Sequence, residues 1–339
     1  MAKKVWIPVV ALLLAAGLLA GCAGEAAPSA SPAASANPAA SEAAEPMQDT
    51  AGLEIKDMKD RVVTLEGPAE RVVALSAADC EIVYALGAGD ALVGRGEYCD
   101  YPEEVLDIPV VQSGNETNVE EIIALGPQVV LMNTMAQTTE QVQQLEDAGI
   151  AVLTSEATDI EGVYEAIGII GAALGKDAEA EALTQEMTEA FSQIEQESAE
   201  AGGEKKTIYF EVSPLEYGLW TAGGGTFMDE IAGMLGLENL FADVDGWAEV
   251  SEEQVIERNP DYIVTITMYM GEGPKPDEEI AGRAGWEGIA AIQNGQVFAA
   301  SEDELSRPGP RLVDGAKTLQ NFVYGAETTE TSSAMDSAA

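Results

Sequence analysis

Short runs of apolar residues alternate with amphipathic stretches along most of the chain. The first run, Val72–Leu75, is followed by a segment with helical spacing that extends to Gly87. A short apolar run bounded by turn residues predicts a buried strand, and apolar positions three and four apart predict a helix. The same order recurs at 128–153 and at 207–267. Strands that alternate with helices predict βαβ units and a mostly parallel sheet.

A longer amphipathic stretch without proline lies at residues 176–199. Its apolar positions follow the helical period. At a rise of 1.5 Å per residue it predicts a helix of roughly 35 Å, which is long enough to bridge two lobes. We therefore expect an N-terminal α/β lobe at 53–175, a connecting helix at 176–203 and a C-terminal α/β lobe at 204–325.

The N-terminal segment has the pattern of an export signal. Two lysines precede an apolar run at Val5–Ala20, which is followed by Gly21 and Cys22. This order resembles a bacterial lipobox, in which the cysteine is acylated and the preceding peptide is removed. Residues 1–21 are therefore predicted to be a lipoprotein signal peptide and Cys22 the lipidation site. The alternative is an ordinary signal peptide with a chance cysteine.

Two segments lack the large apolar residues that a folded core requires. Residues 22–52 consist mainly of Ala, Ser, Pro and Glu, and residues 326–339 are similarly small and polar. Such segments cannot offset the entropy lost on ordering. We expect the first to be a disordered linker between the lipid and the folded part, and the second to be a disordered tail.

Charge and composition exclude several classes of function. The 339 residues include 60 acidic and 16 basic ones and no histidine, for a net charge of −44. A surface this acidic repels nucleic acid and anionic lipid headgroups. The absence of histidine rules out a Ser-His-Asp triad and a histidine-ligated zinc or manganese site.

The three cysteines do not form a CxxC motif. A zinc ribbon or a thioredoxin-type site is therefore not supported. Apart from Cys22, the pair Cys80 and Cys99 is left, and these two could form a disulfide in an oxidising compartment. Their spacing alone does not show whether their geometry would allow the bond.

Four sequence blocks occur in a fixed order behind the lipobox. They are RVVALSAADCEIVYALG (Arg71–Gly87), GRGEYCDYP (Gly94–Pro102), NVEEIIALGPQVVL (Asn118–Leu131) and PGPRLVDG (Pro308–Gly315). Together they resemble the helical-backbone solute-binding proteins that serve iron-siderophore, haem and cobalamin importers, over roughly residues 53–325. The resemblance implies an α/β fold of two Rossmann-like lobes joined by a single long α-helix, with the ligand cleft between them.

The resemblance also implies the function. It indicates an extracytoplasmic lipoprotein, held by lipid at the outer face of the cytoplasmic membrane, that captures a ferric siderophore, haem or a corrinoid. The protein would deliver this cargo to an ABC permease dimer with its ATPase. We expect a monomer without enzymatic activity, cofactor or metal site of its own, and without nucleic acid as a partner.

Two glutamates are implied to dock the protein on the permease. They fall on Glu120 in NVEEII and on Glu253 in WAEVSEEQV. Each lobe would meet one permease subunit, and glutamate–arginine pairs would fix the register of the complex and speed the encounter. The neighbouring Glu121 and Glu252 are the alternatives, and all four could be ordinary solvated helix charges.

Ligand contacts are expected in loops that follow strands, where α/β sheets place their sites. The candidates are Ser76, Ala77, Ala78, Tyr98 and Asn115 in the first lobe, and Tyr217, Trp247, Tyr269 and Arg307 in the second. Trp247 is predicted to lie in a loop, where it would either stack on a flat ligand or pack under the loop. A tyrosine phenolate among them could also ligate haem iron.

The arginines bear on the charge of the ligand. The chain has few of them, and Arg95 and Arg307 are the two best placed to meet an anionic chelate. This scarcity mildly favours a neutral or weakly charged ligand. The alternatives to a binding protein for metal complexes are a metal chelatase or metallocofactor enzyme on the same two-lobed plan, a binding protein for bare zinc or manganese, and a surface adhesin.

Overall fold

A computed structural model describes residues 52–133, 138–269, 271 and 273–325. The signal peptide, Cys22, nearly all of the linker and the tail lie outside this part of the chain. None of the helices within it combines the length and apolar character that a membrane span requires.

Lobe 1, the part before the long helix, is built on parallel strands that are buried on both faces. Its strands are β1 (Leu53–Lys56), β2 (Val62–Leu65), β3 (Val72–Ala74), β4 (Leu92–Gly96), β5 (Val110–Val111), β6 (Val129–Met132) and β7 (Ala151–Thr154). Its helices are α1 (Ala77–Ala85), α2 (Val119–Leu125), α3 (Thr139–Asp147) and α4 (Ile160–Leu174). The sheet order is β5-β4-β3-β6-β7, all parallel, and β1 and β2 form a separate antiparallel hairpin.

The connecting helix α5 (Asp177–Ala201) has 25 residues and is therefore about 37 Å long. Its buried face packs against α4 and against the last helix of the chain. The approach of α4 and α5 depends on a glycine, because a Cβ at Gly171 would lie 2.6 Å from that of Ala180.

Lobe 2 follows α5 and has a second parallel sheet. Its strands are β8 (Thr207–Glu211), β9 (Leu219–Ala222), β10 (Glu238–Asn239), β11 (Trp247–Val250), β12 (Tyr262–Thr265) and β13 (Val297–Ala299). Its helices are α6 (Phe227–Met234), α7 (Glu252–Arg258), α8 (Pro276–Ala281), α9 (Ala290–Gln293), α10 (Glu302–Ser306) and α11 (Leu312–Tyr324). The sheet order is β10-β8-β12-β13, and β9 pairs antiparallel with β11. The α/β fold with parallel sheets that the alternation predicted is confirmed.

Polar caps explain where many of these helices begin. A side-chain oxygen before the helix accepts a hydrogen bond from a backbone N–H of the first turn, which that turn would otherwise leave unpaired. The caps are Ser76 for α1, Asn118 for α2, Thr138 for α3, Asp159 for α4, Thr226 for α6 and Ser251 for α7. Because several of these helices follow strand ends, the same caps place short loops at the carboxyl edges of both sheets.

The two lobes share a continuous apolar core. One cluster of buried side chains includes Ile167 of α4, Phe191 of α5, Met228 of α6 and Leu319 of α11, as well as residues of both sheets. Removing apolar surface from water contributes roughly 25 cal/mol per Å². A large rotation of one lobe against the other would expose part of this surface, so the packing favours a fixed orientation of the lobes.

Candidate functional site

Two adjoining cavities form a cleft where the lobes meet. The first, of 540 Å³, is lined by Tyr98 and Asp100 of lobe 1 and by residues of lobe 2 that include Arg307. The second, of 1040 Å³, extends along lobe 2. Both are lined by Thr267, Met268, Tyr269, Pro276, Glu302 and Ser306, so they form one continuous space. Cavities that hold small molecules typically measure about 300–1,000 Å³.

The cleft is bordered by loops that leave the carboxyl ends of parallel strands. Tyr98 follows β4, Tyr217 follows β8, Tyr269 follows β12 and Glu302 follows β13. This edge is where open α/β sheets bind ligands. Of the predicted ligand residues, Tyr98, Tyr217, Tyr269 and Arg307 line the two cavities, and Tyr98 and Tyr217 are 68% and 74% exposed. Ligand contact by any of them stays a prediction.

Three predicted residues of lobe 1 lie at the start of α1 instead. Ser76 caps this helix, and its hydroxyl donates a hydrogen bond of 2.6 Å to Asp79; Ala77 and Ala78 form its first turn. These three do not belong to the walls of the two cavities. Asn115 lies in the turn Gly114–Glu116, and its side chain is outside the described part of the structure.

Trp247 does not lie in a loop, and that expectation was wrong. It is the first residue of β11, where it pairs with Ala222 of β9. Its ring packs against Phe227 at a centroid distance of 5.5 Å and is 37% exposed. It is absent from the walls of the two described cavities. Only the last residue of β11, Val250, is buried. This one apolar position was the signal in the sequence that could have indicated a strand.

Arg307 is held by three carboxylates. Its Nη1 donates to Glu81 at 2.9 Å and to Asp100 at 2.7 Å, and its Nη2 lies 2.5 Å from Asp303. Arg311 donates to both oxygens of Glu81, at 2.9 and 2.6 Å. We call these five residues the junction cluster, because Glu81 and Asp100 belong to lobe 1 and the other three to lobe 2. Arg307 is therefore not a free partner for an anionic ligand.

The junction cluster also sets the charge state of its acids. Burial alone would raise the pKa of Asp100, but the hydrogen bond and ion pair with Arg307 lower it overall. Glu81 is buried, with a side chain 2% exposed, and it is shared by two arginines. These charge-assisted contacts join the lobes next to the cleft.

Arg95 is structural, contrary to its assignment as a possible ligand contact. It is 7% exposed and donates to the carbonyl oxygens of Cys99 at 2.8 Å and Ile108 at 3.2 Å. These hydrogen bonds hold the loop that carries Tyr98 in place from its buried side. They satisfy the buried guanidinium without a carboxylate.

A second buried charge cluster lies under the lobe 2 side of the cleft. Arg283 donates to both oxygens of Glu211 at 2.9 Å and reaches Glu279 at 2.5 Å. We call these three residues the floor cluster. The guanidinium also stacks 4.3 Å above the ring of Trp286. Burial raises the pKa of Glu211, and Arg283 offsets part of that rise.

Asp79 is a buried carboxylate with a different environment. It is 1% exposed and accepts hydrogen bonds from the hydroxyls of Ser76 and Ser155. Burial raises its pKa to about 6, although both hydrogen bonds act in the opposite direction. Within the described residues it has no ion pair.

Cys80 and Cys99 are free thiols in the structure, and both are buried. Each sulfur lies 3.8 Å from the carbonyl oxygen of Ala74. A hydrogen bond between the two thiols, and then burial, raise the pKa of Cys80. The fold therefore brings the pair together, and its oxidation to a disulfide stays a prediction.

The predicted docking glutamates occupy equivalent positions in the two lobes. Glu120 is the second residue of α2, which is capped by Asn118, and Glu253 is the second residue of α7, which is capped by Ser251. Both are exposed. The alternative Glu252 accepts a hydrogen bond of 3.0 Å from Trp286 Nε1, so it is engaged within the lobe. In the first lobe Glu121 is exposed as well and stays an alternative.

One charged cluster was not predicted from the sequence, and the structure shows no metal-binding group among the described residues. The residues of the floor cluster were missed, because Glu211 and Arg283 are 72 positions apart and neither stands in a motif. Among the described residues, no group of three or more Cys, Asp or Glu side chains is arranged to hold a metal ion.

Comparison with known proteins places the chain among transport proteins. A sequence profile described as "Periplasmic binding protein" matches residues 72–304. The chain is 34% identical over 318 residues to YvrC of Bacillus subtilis, an uncharacterised ABC transporter substrate-binding lipoprotein, covering 93% of this chain and 95% of the relative. It is 29% identical to the cobalamin-binding protein of Halobacterium salinarum, covering 79% of this chain and 73% of the relative.

A solved structure agrees with this placement. The periplasmic vitamin B12 binding protein BtuF of Vibrio cholerae superposes with a TM-score of 0.63 at 25% identity, covering 76% of this chain and 97% of BtuF. The two-lobed plan predicted for the chain is thus the plan of its structural relatives, and these relatives bind solutes and are not enzymes.

Proposed function

The chain belongs to the periplasmic binding protein family and is a solute-binding protein of an ABC importer, and we propose that its cargo is a corrinoid. The protein works outside the cytoplasm and is not an enzyme, so the chelatase alternative has no support. A ferric hydroxamate is the second candidate cargo, since it is also a bulky metal complex.

The size and lining of the cleft carry the proposal. Adjoining cavities of 540 and 1040 Å³ suit a large flat molecule better than a bare ion. Aromatic and thioether side chains line them, namely Tyr98, Tyr217, Met268 and Tyr269. Such groups can pack on a macrocycle through apolar contact and through offset stacking. The relatives named for cobalamin and vitamin B12 favour a corrinoid over the other metal complexes.

Titration of the folded protein tests the cargo directly. We expect cyanocobalamin or cobinamide to change the tryptophan fluorescence in a saturable way, with a Kd of about 1 μM or tighter. Ferric hydroxamates and haem serve as competitors. If a hydroxamate binds and no corrinoid does, the cargo proposal is wrong while the binding role stands.

We propose in addition that Trp247 contacts the cargo, although it lies outside the walls of the two described cavities. Its ring is 37% exposed and is supported from one side by Phe227. Trp247→Ala should weaken corrinoid affinity several-fold, because it removes a large apolar contact surface. Trp220, which is 40% exposed on the paired strand β9, provides the control substitution. Unchanged affinity of the Trp247 variant would exclude the contact.

Docking on the permease is proposed to depend on Glu120 and Glu253. Charge reversal at either position should reduce import in cells or vesicles and leave cargo affinity unchanged, because rim charges act on encounter and register. Glu257→Lys makes the same charge change on the exposed face of α7 and is the matched control. Glu121→Lys tests the neighbouring assignment. Loss of import only in the Glu121 variant would move the contact by one residue.

We also propose that the mature protein is a monomer anchored by acylated Cys22 after removal of residues 1–21. The lipobox pattern and the lipoprotein name of YvrC, which aligns with 93% of this chain, support the anchor. Metabolic labelling with a fatty-acid analogue should mark the protein and should fail for Cys22→Ser. Labelling that persists in this variant would contradict the assignment.

A further inference from the structure

We infer that the cleft selects its cargo by charge: it admits uncharged or cationic metal complexes that carry hydrogen-bond donors and rejects complexes with exposed carboxylates. This inference rests on the proposed function, since it concerns the cleft assigned above. It goes further by stating which chemical class of cargo the cleft accepts.

The first observation is that the arginines around the cleft are already bound. Arg307 contacts Glu81, Asp100 and Asp303, and Arg311, which lies outside the cleft walls, is bidentate to Glu81. Arg283 is bidentate to Glu211 beneath the floor. An incoming carboxylate would have to break one of these charge-assisted pairs and leave a protein carboxylate without its partner, which is costly in a partly buried site.

The second observation is an unpaired acid at the centre of the cleft. Glu302 is the one carboxylate that lines both cavities, among the described residues, and it forms no ion pair or side-chain hydrogen bond there. It is half-buried. Burial raises its pKa, the charge of Asp303 adds to that rise, and the charge of Arg307 opposes it without reversing it. A carboxylate in this position can accept a hydrogen bond from an amide or ammonium group of a ligand.

The balance of charge over the walls has the same sign. Six acidic residues line the two cavities: Asp100, Glu211, Glu216, Glu279, Glu302 and Asp303. Lys275 and Arg307 are the cationic residues of the same walls. Arg307 is paired with Asp100 and Asp303, and Arg283 is paired with Glu211 and Glu279, so Glu216 and Glu302 are the acids of these walls without an ion pair among the described residues. Lys275 is exposed, so water and salt screen its charge. The net charge of −44 on the whole chain adds a field of the same sign.

These features distinguish classes of metal complex. The peripheral amides of a corrinoid and the ammonium group of some ferric hydroxamates offer donors to Glu302. A complex with free carboxylates meets an acidic wall without a free arginine. One carboxylate on an otherwise identical ligand should weaken binding about tenfold at low salt, and the effect should shrink as salt screens the charges.

The test compares two corrinoids of equal size. Cyanocobalamin is titrated against its monocarboxylic acid, in which one side-chain amide is hydrolysed, at low and at high salt. We expect the acid to bind about tenfold more weakly at low salt and the gap to narrow at high salt. Glu302→Gln should reduce the gap. Glu257→Gln removes one negative charge from an exposed site on α7 and should leave the gap unchanged.

The outcomes separate this inference from the cargo proposal. If corrinoids do not bind, the cargo proposal is wrong, and a ferric hydroxamate with a free ammonium group is compared with its succinylated, anionic derivative. Equal affinity for the two members of either pair overturns the inference that the cleft selects by charge. An affinity difference that stays the same in a Glu302→Gln variant of unchanged melting temperature also overturns it. Failure of all four compounds to bind overturns both proposals.

Discussion

Asp79 of lobe 1 and Glu211 of lobe 2 are both carboxylates that are 1% exposed, but their charges are stabilised in different ways. Glu211 is clamped by the buried Arg283. Asp79 has two hydroxyl donors and, among the described residues, no cation. Burial raises both pKa values, and for Asp79 it does so to about 6. A buried carboxyl group can thus be stabilised by a neighbouring cation or by protonation. Removal of the cation tests the first case, and a change of pH tests the second.

Removal of the cation should produce the largest effect. Arg283→Met would leave Glu211 buried without a partner, and breaking such a pair costs about 3–5 kcal/mol of unfolding free energy. Chemical denaturation measures it. Glu279→Gln is the control, because the Glu279 side chain is 42% exposed and its contact should contribute about 1 kcal/mol or less. Equal losses in both variants would contradict the distinction between the two partners of Arg283.

The unfolding free energy measured as a function of pH tests the protonation of Asp79. The pKa of Asp79 is raised from 3.8 to about 6, so folding favours its protonated form. The stabilisation that protonated Asp79 provides is complete below pH 3.8 and is lost as the pH rises through about 6. The unfolding free energy should fall by up to about 3 kcal/mol over this range. Other carboxylates add their own pH dependence, so the difference between wild type and Asp79→Asn isolates this one. Parallel curves for the two proteins between pH 4 and 6 would contradict the raised pKa.

The junction cluster provides an intermediate case, because the cations of Glu81 come from the opposite lobe. Glu81→Gln removes the charge that Arg307 and Arg311 share, while Asp100 and Asp303 remain as partners. We expect a loss of about 2 kcal/mol and faster hydrogen exchange in α1 and α10. Asp303→Asn should have a smaller effect, since its side chain is 37% exposed. Unchanged exchange in the Glu81 variant would show that the apolar core alone orients the lobes.

An exposed pair sets the lower limit of the series. Arg258 is bidentate to Asp243 at 2.6 and 3.0 Å, the same arrangement as in the floor cluster, but the Asp243 side chain is 63% exposed. Asp243→Asn should cause the smallest loss of unfolding free energy in the series, and this loss should shrink with added salt. A loss as large as that of Arg283→Met would mean that geometry, and not burial, determines the strength of these pairs.

The sequence was sufficient where the signal is local. Alternating strands and helices, with caps such as Ser76 and Ser251, predicted the α/β fold. The positions of Tyr98 and Tyr269 followed from the rule that strand-end loops border the site. The extent of α5 was close to the predicted stretch because its helical period is long and uninterrupted.

The sequence was insufficient where partners are distant. The Arg283–Glu211 pair joins residues 72 positions apart, and the contacts of Arg307 with Glu81 span 226 positions. No periodicity links such residues, so the roles of Arg307 and Arg95 were misjudged. Trp247 was assigned to a loop because β11 has four residues and depends on its partner β9 for its strand structure.

The apolar core that runs from lobe 1 through α4 and α5 into α11 has a consequence for folding. One cluster of side chains packs on one face of both sheets, while a separate cluster covers the other face of each sheet, so each half shares one of its two cores with the other half. A chain cut within α5 would expose Phe191 and Ile194 in one fragment and their neighbours in the other. The described part of the protein should therefore melt in one cooperative transition, and each half expressed separately should be less stable than the intact protein.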